Sequence, residues 1–423
     1  ANPVKKLAPT RHSRRVQLAR ELLSQIVFPE RFQLPVDPEF EASGVVAERC
    51  KVMSSKKLPL LLVFRGAGSR VDPRTGEPRT LSVLFKKGDD LRQDQLTLQI
   101  LRVMVQLWKA SGLDLRMSPY ACISTGNMIG MLEIVPDSET ISNIHIAAVP
   151  PSVRGVKRVR QAANQVFKKE VLSQWLKEEC RRSQEIAAGG AGGGDDVASV
   201  MDSPSSAATG SAKQSRVEVA RRLRAVSSVT QLDVAMTGHS HDSAFTNPYL
   251  KAQQNFARSA AGYVVATYVL GIGDRHCDNI MCSRAGKLFH IDFGHFLGNF
   301  KSKMGIKRER APFVFTPAMA HVLGTEEGEP YRMFLDLATR AYEVLRRHHE
   351  LLVTLFMLML SCGIPELTEP QEIEWVPDKL VLDKSEAEAR RELLSLIHKA
   401  LHTKATQYND YFHILKHANN KVK

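Results

Sequence analysis

The sequence lacks the features that mark secreted, zinc-bound or membrane-spanning chains. Its six cysteines are scattered with no CxxC spacing, so we expect neither a disulfide framework nor a zinc site, and we predict a reducing, intracellular compartment. The longest apolar run, residues 351–360, is interrupted by Thr354 and is shorter than the roughly 20 residues of a membrane span. The basic and polar start, residues 1–20, lacks the apolar core of a signal peptide.

Acidic side chains are the scarcer charge. The 45 Asp and Glu residues face 58 Lys and Arg residues, which gives a net charge of +13. A basic protein of this size typically binds nucleic acid, an anionic membrane or phosphorylated ligands. A solvated basic surface without a specific partner is the alternative, and only the location of the charges can decide. With 43% hydrophobic residues over 423 positions, the composition is that of a soluble globular protein with two or three lobes.

Composition and periodicity divide the chain into two lobes. Residues 1–135 predict a small α/β lobe with a helix before it, and residues 136–423 predict a larger, mainly helical lobe, with a hinge near residues 133–135. Between residues 185 and 245 the chain is rich in Gly, Ala and Ser, which predicts a disordered insertion. The more specific predictions are a strand at 81–86 and helices at 94–108, 166–177, 260–270, 349–359, 384–402 and 405–417.

Two polar segments of the second lobe carry candidate chemistry. Residues 271–279 read Gly-Ile-Gly-Asp-Arg-His-Cys-Asp-Asn, and residues 290–294 read His-Ile-Asp-Phe-Gly. Phosphoryl transfer needs metal ligands on the phosphates and a positioned group beside the nucleophile. An amide and a carboxylate on separate loops can share Mg²⁺, and a third group can position the nucleophile or accept its proton. The candidates are Asn279 and Asp292 for the metal and Asp274 and His276 for the proton; singly, each is also typical of a turn.

The order of the catalytic-loop residues points to a family. Protein kinases write this loop as His-Arg-Asp with a later Asn, whereas this chain has Asp274-Arg275-His276, with Asn279 close behind. This inversion resembles the phosphoinositide 3-kinase and related-kinase superfamily, and the resemblance covers most of the chain outside the insertion. It implies an α/β (α+β) bilobal kinase fold with an antiparallel sheet in a small N-lobe and a larger, mainly helical C-lobe. It also implies ATP and Mg²⁺ as cofactors.

The first lobe resembles the ATP-binding half of that family. Residues 85–94, Phe-Lys-Lys-Gly-Asp-Asp-Leu-Arg-Gln-Asp, match the strand with the ATP lysine and the acidic segment after it. By that match Lys86 contacts the phosphates, Asp94 orients it and Tyr120 lies nearby. Residues 53–57, Met-Ser-Ser-Lys-Lys, resemble the phosphate-binding loop, which implies that Ser55, Lys57 and backbone N–H groups hold the β- and γ-phosphates.

The adenine pocket is implied in the same way. Residues 123–135 resemble the strand leading into the hinge, so the backbone at Glu133 and Val135 would bind adenine. Apolar walls, each of which can also be a plain core position, would come from Met53, Ile129, Met281 and Ile291. The sequence departs from the family in two places: residues 60–62 stand where class I members usually have a tryptophan, and Cys277 replaces a common asparagine, as an inert thiol or a modification site.

The segment after Asp292 predicts the substrate. Its cations are accompanied by a single acid, Glu309, and suit a headgroup that carries phosphates. It closely resembles the class I activation loop, which implies phosphatidylinositol 4,5-bisphosphate as substrate. His295 opens the segment and is a further candidate proton acceptor, beside Asp274 and His276. The predicted headgroup ligands are Lys301, Lys303, Lys307, Arg308 and Arg310.

Several alternatives stay open. Residues 311–316 also resemble class II lipid kinases, but those enzymes continue into further lipid-binding domains, so class I is preferred. A protein kinase of the related superfamily, which also has the inverted loop, gives no reason for the basic cluster. A catalytically silent membrane scaffold conflicts with the intact Lys86, Asn279 and Asp292.

The last predicted helix has aromatic residues among basic ones, including Tyr411, Phe412, Leu415 and Lys416. Such a helix is typical of a membrane interface, and packing on the C-lobe is the alternative. The expected partners are a phosphoinositide in an anionic membrane and a regulatory subunit or small GTPase acting through domains outside this chain, with no nucleic acid. The expected location is the cytoplasm, with recruitment to the cytoplasmic face of membranes.

Overall fold

The computed structural model describes residues 11–53, 57–68, 78–189, 247–300, 302–303, 306–307 and 311–422. At 187–189, 302–303, 306–307 and 417–422 it describes the backbone alone. The chain divides into two compact units, residues 1–181 with 248–423 and residues 182–247. Apart from residues 185–189, the predicted insertion at 185–245 lies outside the described residues. Its first five positions, 185–189, belong to the end of a helix.

An antiparallel sheet of seven strands forms the first lobe. The strand order is β1-β2-β4-β5-β7-β6, with β3 beside β4, and every pairing is antiparallel. On the fifth strand Leu81 and Val83 are buried while their neighbours are less so, because side chains alternate between the two faces of a strand. The strands are β1 (Phe32–Leu34), β2 (Asp37–Val45), β3 (Lys51–Val52), β4 (Leu60–Gly66), β5 (Thr80–Lys87), β6 (Cys122–Gly126) and β7 (Ile129–Glu133).

Two helices accompany this sheet. Helix α1 (Arg11–Ser24) precedes it, and helix α2 (Arg92–Ala110) follows β5. The inward face of α2 includes Leu98 and Leu101, both buried, at the spacing expected for one side of a helix. Near its end, the fully buried Trp108 donates its indole N–H to the carbonyl of Ala341 in the second lobe, at 2.9 Å. This hydrogen bond fixes α2 against the helical lobe.

The second lobe is mainly helical and contains a small antiparallel sheet in the order β10-β9-β8. Its strands are β8 (Ser138–Thr140), β9 (Ile280–Ser283) and β10 (Leu288–His290), and a two-stranded hairpin follows with β11 (Ser302–Lys303) and β12 (Ile306–Lys307). The helices described are α3 (Ile141–Ala147), α4 (Gly155–Asn164), α5 (Val171–Gly189), α6 (Pro248–Val269), α7 (Pro317–Leu323), α8 (Glu329–Arg347), α9 (His349–Met359), α10 (Pro370–Ile373), α11 (Trp375–Leu380), α12 (Glu386–His402) and α13 (Lys404–Val422).

Helix α6 lies in the middle of this lobe. Its residues from Ser259 to Val269 are all buried, and they belong to one continuous core with residues of α2, α8 and α12. A helix that is buried on every side must be apolar all round, and this explains the run of Ala and Val in its sequence. Among the described helices, none combines the length and apolar character needed to cross a bilayer.

Most of the predicted elements are confirmed, although α6 begins at Pro248, well before its predicted start at residue 260. The predicted strand corresponds to β5, and the helices predicted at 94–108, 260–270 and 349–359 correspond to α2, α6 and α9. The helix predicted from residue 384 begins after Ser385, whose side chain forms a capping box with Glu388. The last helix begins at Lys404. The antiparallel N-lobe sheet and the helical second lobe confirm the predicted bilobal fold.

The helix predicted at 166–177 is wrong in its first part. Residues 165–167 form a 3-10 turn, Lys168 is extended, and the α-helix begins at Val171. The carbonyl of Val166 accepts a hydrogen bond from the Gln407 side chain in α13, at 3.3 Å. Val166 is therefore held by a helix far away in the sequence, and such a contact leaves no signal in local periodicity.

Candidate active site

The two polar segments meet at one edge of the small C-lobe sheet. Residues 271–279 lead into β9, and residues 291–294 leave β10. Because β9 and β10 are antiparallel, with His290 opposite Ile280, the segment before one strand lies beside the segment after the other. The N–H of Ile291 donates to the carbonyl of Asn279 at 3.0 Å. The fold thus places Asn279 and Asp292, the predicted metal ligands, on adjacent segments.

The backbone at this site adopts an uncommon conformation. Asp274 and Asp292 both have positive φ, 52° and 60°, a region that costs a non-glycine residue on the order of 1 kcal/mol. Arg275 holds both turns. Its guanidinium donates to the carbonyls of Gly273 at 2.8 Å and Ile291 at 2.7 Å, and to the carbonyl of Asp292. In the sequence Arg275 is visible only as part of the loop motif, and no local pattern indicates this role.

Asn279 and Asp292 provide oxygens that suit Mg²⁺. The buried Asn279 amide donates to the carbonyl of Asp274 at 3.1 Å, which leaves its side-chain oxygen as an acceptor. Burial and the negative charge of Asp292 raise the pKa of Asp94 to about 6. A cation bound at Asp292 would relieve the repulsion between the carboxylates of Asp94 and Asp292. Two oxygens from separate segments fit a magnesium site, since Mg²⁺ commonly takes its other ligands from phosphates and water.

Asp89 joins the two lysines predicted to bind ATP. The Lys86 ammonium lies 3.6 Å from the Asp89 carboxylate, and the Lys57 ammonium pairs with the same carboxylate. Asp94, the expected partner of Lys86, instead accepts a hydrogen bond from the N–H of Phe293 at 2.9 Å, and the Lys86 charge only lowers its pKa as a lesser influence. Asp94 therefore ties α2 to the segment of Asp292. Ser55 lies outside the described residues.

The predicted adenine pocket has an available donor. Within the described residues, the N–H of Val135 has no hydrogen-bond partner, while its carbonyl accepts from the Ser138 hydroxyl at 2.6 Å. The N–H of Glu133 is already bonded to the carbonyl of Ala121 at 2.8 Å, so only its carbonyl can serve the predicted role.

The residues predicted to form the apolar walls of that pocket lie in both lobes. Met281 and Ile291 are partly buried against the C-lobe core, and Ile129 is partly buried in β7. Tyr120 is buried, and burial together with the charge of Asp94 raises its pKa well above the usual value. Its phenol therefore stays protonated and neutral.

Helix α13 covers the back of the catalytic loop. The carboxylate of Asp410 accepts the N–H of Cys277 at 2.7 Å, and the ring of His413 stacks on His276 with centroids 3.8 Å apart. Burial, followed by the His413 charge, lowers the pKa of His276 to about 4. Burial raises the pKa of Cys277 well above its usual value, so this thiol is protonated and inert in the folded state.

His295 has a carboxylate partner that the sequence did not predict. Its Nδ1 lies 2.5 Å from a side-chain oxygen of Glu366, in the loop between α9 and α10. The other Glu366 oxygen accepts the N–H of Phe296 at 2.8 Å. No local pattern marks Glu366, because it is 71 residues from His295 in the sequence.

The predicted headgroup ligands are described only in part. Lys303 and Lys307 lie on the hairpin, with Lys303 opposite Ile306 and Ser302 opposite Lys307, and this hairpin directly follows the segment of Asp292 and His295. The other three, Lys301, Arg308 and Arg310, lie outside the described residues. Their role stays a prediction.

Known proteins resemble this chain over nearly its whole length. The family described as phosphatidylinositol 3- and 4-kinase matches residues 80–369. Phosphatidylinositol 3-kinase 1 of Dictyostelium discoideum is 37% identical over 414 residues, which are 98% of this chain and 21% of that protein. Phosphatidylinositol 3-kinase 2 of the same organism is 40% identical over 401 residues, 95% of this chain and 17% of that protein.

A human protein is also similar. Phosphatidylinositol 4-phosphate 3-kinase C2 domain-containing subunit beta of Homo sapiens is 35% identical over 385 residues, 90% of this chain and 18% of that protein. The chain spans about a fifth of the length of these curated relatives. With the bilobal fold, the inverted catalytic loop and a family match over residues 80–369, the chain belongs to the phosphatidylinositol 3- and 4-kinase family.

Proposed function

We propose that the chain is an ATP- and Mg²⁺-dependent lipid kinase that phosphorylates the 3-hydroxyl of phosphoinositides at a membrane, with phosphatidylinositol 4,5-bisphosphate as its main substrate. The proposal rests on one observation. Asn279 and Asp292 lie on adjacent segments at one edge of the C-lobe sheet, where the N–H of Ile291 donates to the carbonyl of Asn279 at 3.0 Å. Phosphoryl transfer depends on positioning and on charge stabilisation, and these two ligands supply the metal part of both.

Residues of both lobes take part in the proposed reaction. Lys86 and Lys57, held near each other by Asp89, would bind the ATP phosphates. Asn279 and Asp292 would hold Mg²⁺, which when bound neutralises charge on the transferring phosphate. The N–H of Val135 and the carbonyl of Glu133 would orient the adenine. The fixed backbone of residues 273–275 then keeps the C-lobe ligands in place.

Three residues were candidates for the proton acceptor, and His295 is preferred. With a pKa lowered to about 4, His276 is a weak base at neutral pH, and its ring is stacked on His413. Asp274 directs its carbonyl to the Asn279 amide, which supports a positioning role. His295 lies at the start of the segment that leads to the hairpin, where the lipid headgroup is expected, and its ring is oriented by Glu366.

A second substrate is favoured by one observation. The human relative is named for phosphatidylinositol 4-phosphate, which has one phosphate fewer than the proposed substrate. The five cations at 301–310 favour the more highly charged headgroup, because each additional phosphate offers further charge-assisted hydrogen bonds to Lys and Arg.

Support for action at a membrane comes from the outer face of α13. Phe412 is 64% exposed and Tyr408 is 51% exposed, while Ile414 on the opposite face is 1% exposed. Tyr411 and Leu415, expected to project with Phe412, instead pack partly against the core. The ring of Phe167 lies 5.6 Å from that of Tyr408. This exposed aromatic group, next to exposed lysines at 168 and 169, has the composition of an interfacial surface.

The proposal is tested by incubating the protein with Mg²⁺, labelled ATP and vesicles that contain one phosphoinositide at a time. We expect a 3-phosphorylated product, formed fastest from phosphatidylinositol 4,5-bisphosphate. Faster reaction of phosphatidylinositol 4-phosphate would favour the second substrate. Transfer to protein and to no lipid would contradict the proposal.

A further inference from the structure

The loop between α9 and α10 carries a carboxylate into the candidate active site. Glu366 lies in a turn in which the N–H of Leu367 donates to the carbonyl of Ile364 at 3.1 Å. Ile364 and Leu367 on either side are almost completely buried and belong to the C-lobe core. The turn is therefore anchored by apolar packing on both sides of Glu366, so the position of its side chain is set by the core of the lobe.

Both oxygens of this carboxylate are engaged. One lies 2.5 Å from Nδ1 of His295. The other accepts the backbone N–H of Phe296 at 2.8 Å and the side-chain amide of Gln93 at 3.2 Å. Gln93 also donates to the carbonyl of Phe293 at 3.1 Å. A carboxylate with this many donors cannot rotate away from the imidazole without losing hydrogen bonds that are largely shielded from water.

These contacts determine which ring nitrogen of His295 carries the proton. A carboxylate accepts hydrogen bonds and cannot donate them when ionised, so Nδ1 of His295 carries the proton that is shared with Glu366. The neutral imidazole then has Nε2 as its acceptor nitrogen. The same logic applies wherever a carboxylate sets the tautomer of a catalytic or metal-binding histidine. His276 shows the contrast, since its Nδ1 has no hydrogen-bond partner among the described residues.

We propose that Glu366 is a positioning residue for proton transfer, which holds His295 with Nε2 ready to accept the proton of the lipid hydroxyl and stabilises the imidazolium that forms. This inference rests on the proposed function. In the step concerned, the lipid oxygen forms a bond to the γ-phosphorus, and the bond from that phosphorus to the bridging oxygen of ATP breaks. Its electron pair stays on ADP, the hydroxyl proton passes to Nε2 of His295, and the imidazolium later releases it to water.

A double-mutant cycle tests the inference. Glu366→Gln keeps the size of the side chain but removes its charge, so we expect kcat for lipid phosphorylation to fall about 10- to 100-fold. The KM values for ATP and lipid should stay within about twofold, because Glu366 does not contact either substrate in the proposal. In a His295→Ala background the same change should cost nothing further, since Glu366 acts only through the ring that is already absent.

The outcomes separate a positioning role from a structural one. If Glu366 only anchors the backbone of Phe296, the losses from Glu366→Gln and His295→Ala will multiply, and the inference is wrong. Glu369→Gln is the matched control, a carboxylate in the same loop that caps α10 and should leave kcat unchanged. If Glu366→Gln does not fold, Glu366→Asp enters the same cycle under the same criterion.

Failure of the inference can be told from failure of the proposed function. An active wild-type enzyme with multiplying losses overturns the role of Glu366 alone. A wild-type protein that binds ATP but phosphorylates no phosphoinositide overturns the proposed function, and the inference with it.

Discussion

At the residue scale, the site concentrates charge and backbone strain on a few side chains. Asp292 has a left-handed backbone, which Asn tolerates better than Ala. We therefore predict that Asp292→Asn, which keeps the shape and the conformation, will lower kcat by at least about 100-fold through loss of a charged metal ligand. Its melting temperature should not fall, because the change also removes the repulsion that contributes to the raised pKa of Asp94. Activity and thermal unfolding are measured together.

Near-normal activity of Asp292→Asn at ordinary Mg²⁺ concentrations would contradict its assignment as a metal ligand. Lys86→Met tests the other lobe and should give a similar loss without affecting the C-lobe turns.

Asp89 gives a second prediction at this scale. It pairs with both Lys57 and Lys86, and each ammonium has three donors, so both can contact Asp89 and a phosphate at once. Without the carboxylate the two like charges would move apart. We expect Asp89→Asn to raise the KM for ATP about 2- to 5-fold, within the range of partly exposed ion pairs.

The adjacent Asp90 provides the control for Asp89. Its carboxylate is bound by the Arg92 side chain at 2.6 Å, so Asp90→Asn should leave the KM for ATP unchanged. A lower KM in Asp89→Asn would mean that Asp89 competes with ATP for the lysines.

At the element scale, α13 supports the catalytic loop through a buried acid. Burial raises the pKa of Asp410 to about 7, against hydrogen bonds from Cys277 and the charge of His413, and Asp278 raises it further. A carboxyl whose pKa is higher in the folded than in the unfolded state stabilises the protein most at low pH, and that contribution is lost as the pH rises through about 7. Asp410→Asn should therefore raise the melting temperature at pH 8 relative to the wild type and change it much less at pH 4.

Thermal unfolding of both proteins from pH 4 to 8 checks this prediction. Asp278 moves in the opposite direction: burial raises its pKa, but hydrogen bonds from His413 and Ser142 outweigh that effect and lower it to about 2. Asp278→Asn is the control, and it should lose stability at neutral pH. Equal pH profiles for Asp410→Asn and the wild type would show that Asp410 is not perturbed.

The outer face of α13 leads to a prediction about membranes. Phe412→Ser should reduce sedimentation with anionic vesicles and lipid phosphorylation together, while ATP hydrolysis without lipid stays normal. The reason is that Phe412 is exposed and would contribute on the order of 2 kcal/mol of apolar burial at the interface. Leu358→Ser, an exposed apolar position on α9, is the matched control. Unchanged sedimentation of Phe412→Ser would mean that this face does not bind the membrane.

At the scale of the whole molecule, the sequence predicted what is encoded locally. Residues 85–94 and 271–279 are contiguous motifs, so their strand, helix and loop positions followed from short windows of sequence. The partners that hold the site are distant: Cys277 and Asp410 are 133 residues apart. The sequence predicted that Asp94 orients Lys86. In the structure Lys86 lies 3.6 Å from Asp89, and Asp94 accepts the N–H of Phe293; both aspartates are in the motif, so only the packing of α2 against Phe293 distinguishes them.

The charge distribution of the molecule gives the last prediction. Replacement of Lys307, Arg308 and Arg310 by Ala should lower activity on phosphatidylinositol 4,5-bisphosphate much more than on unphosphorylated phosphatidylinositol, because only the former has 4- and 5-phosphates for these cations to bind. Replacement of Lys168, Lys169 and Lys404, which flank the exposed aromatic face, should lower activity on all anionic vesicles alike. Each cation near such a surface contributes on the order of 1 kcal/mol, screened within roughly 10 Å by salt. If the first set affects both lipids equally, the basic segment provides general membrane attraction and does not select the headgroup.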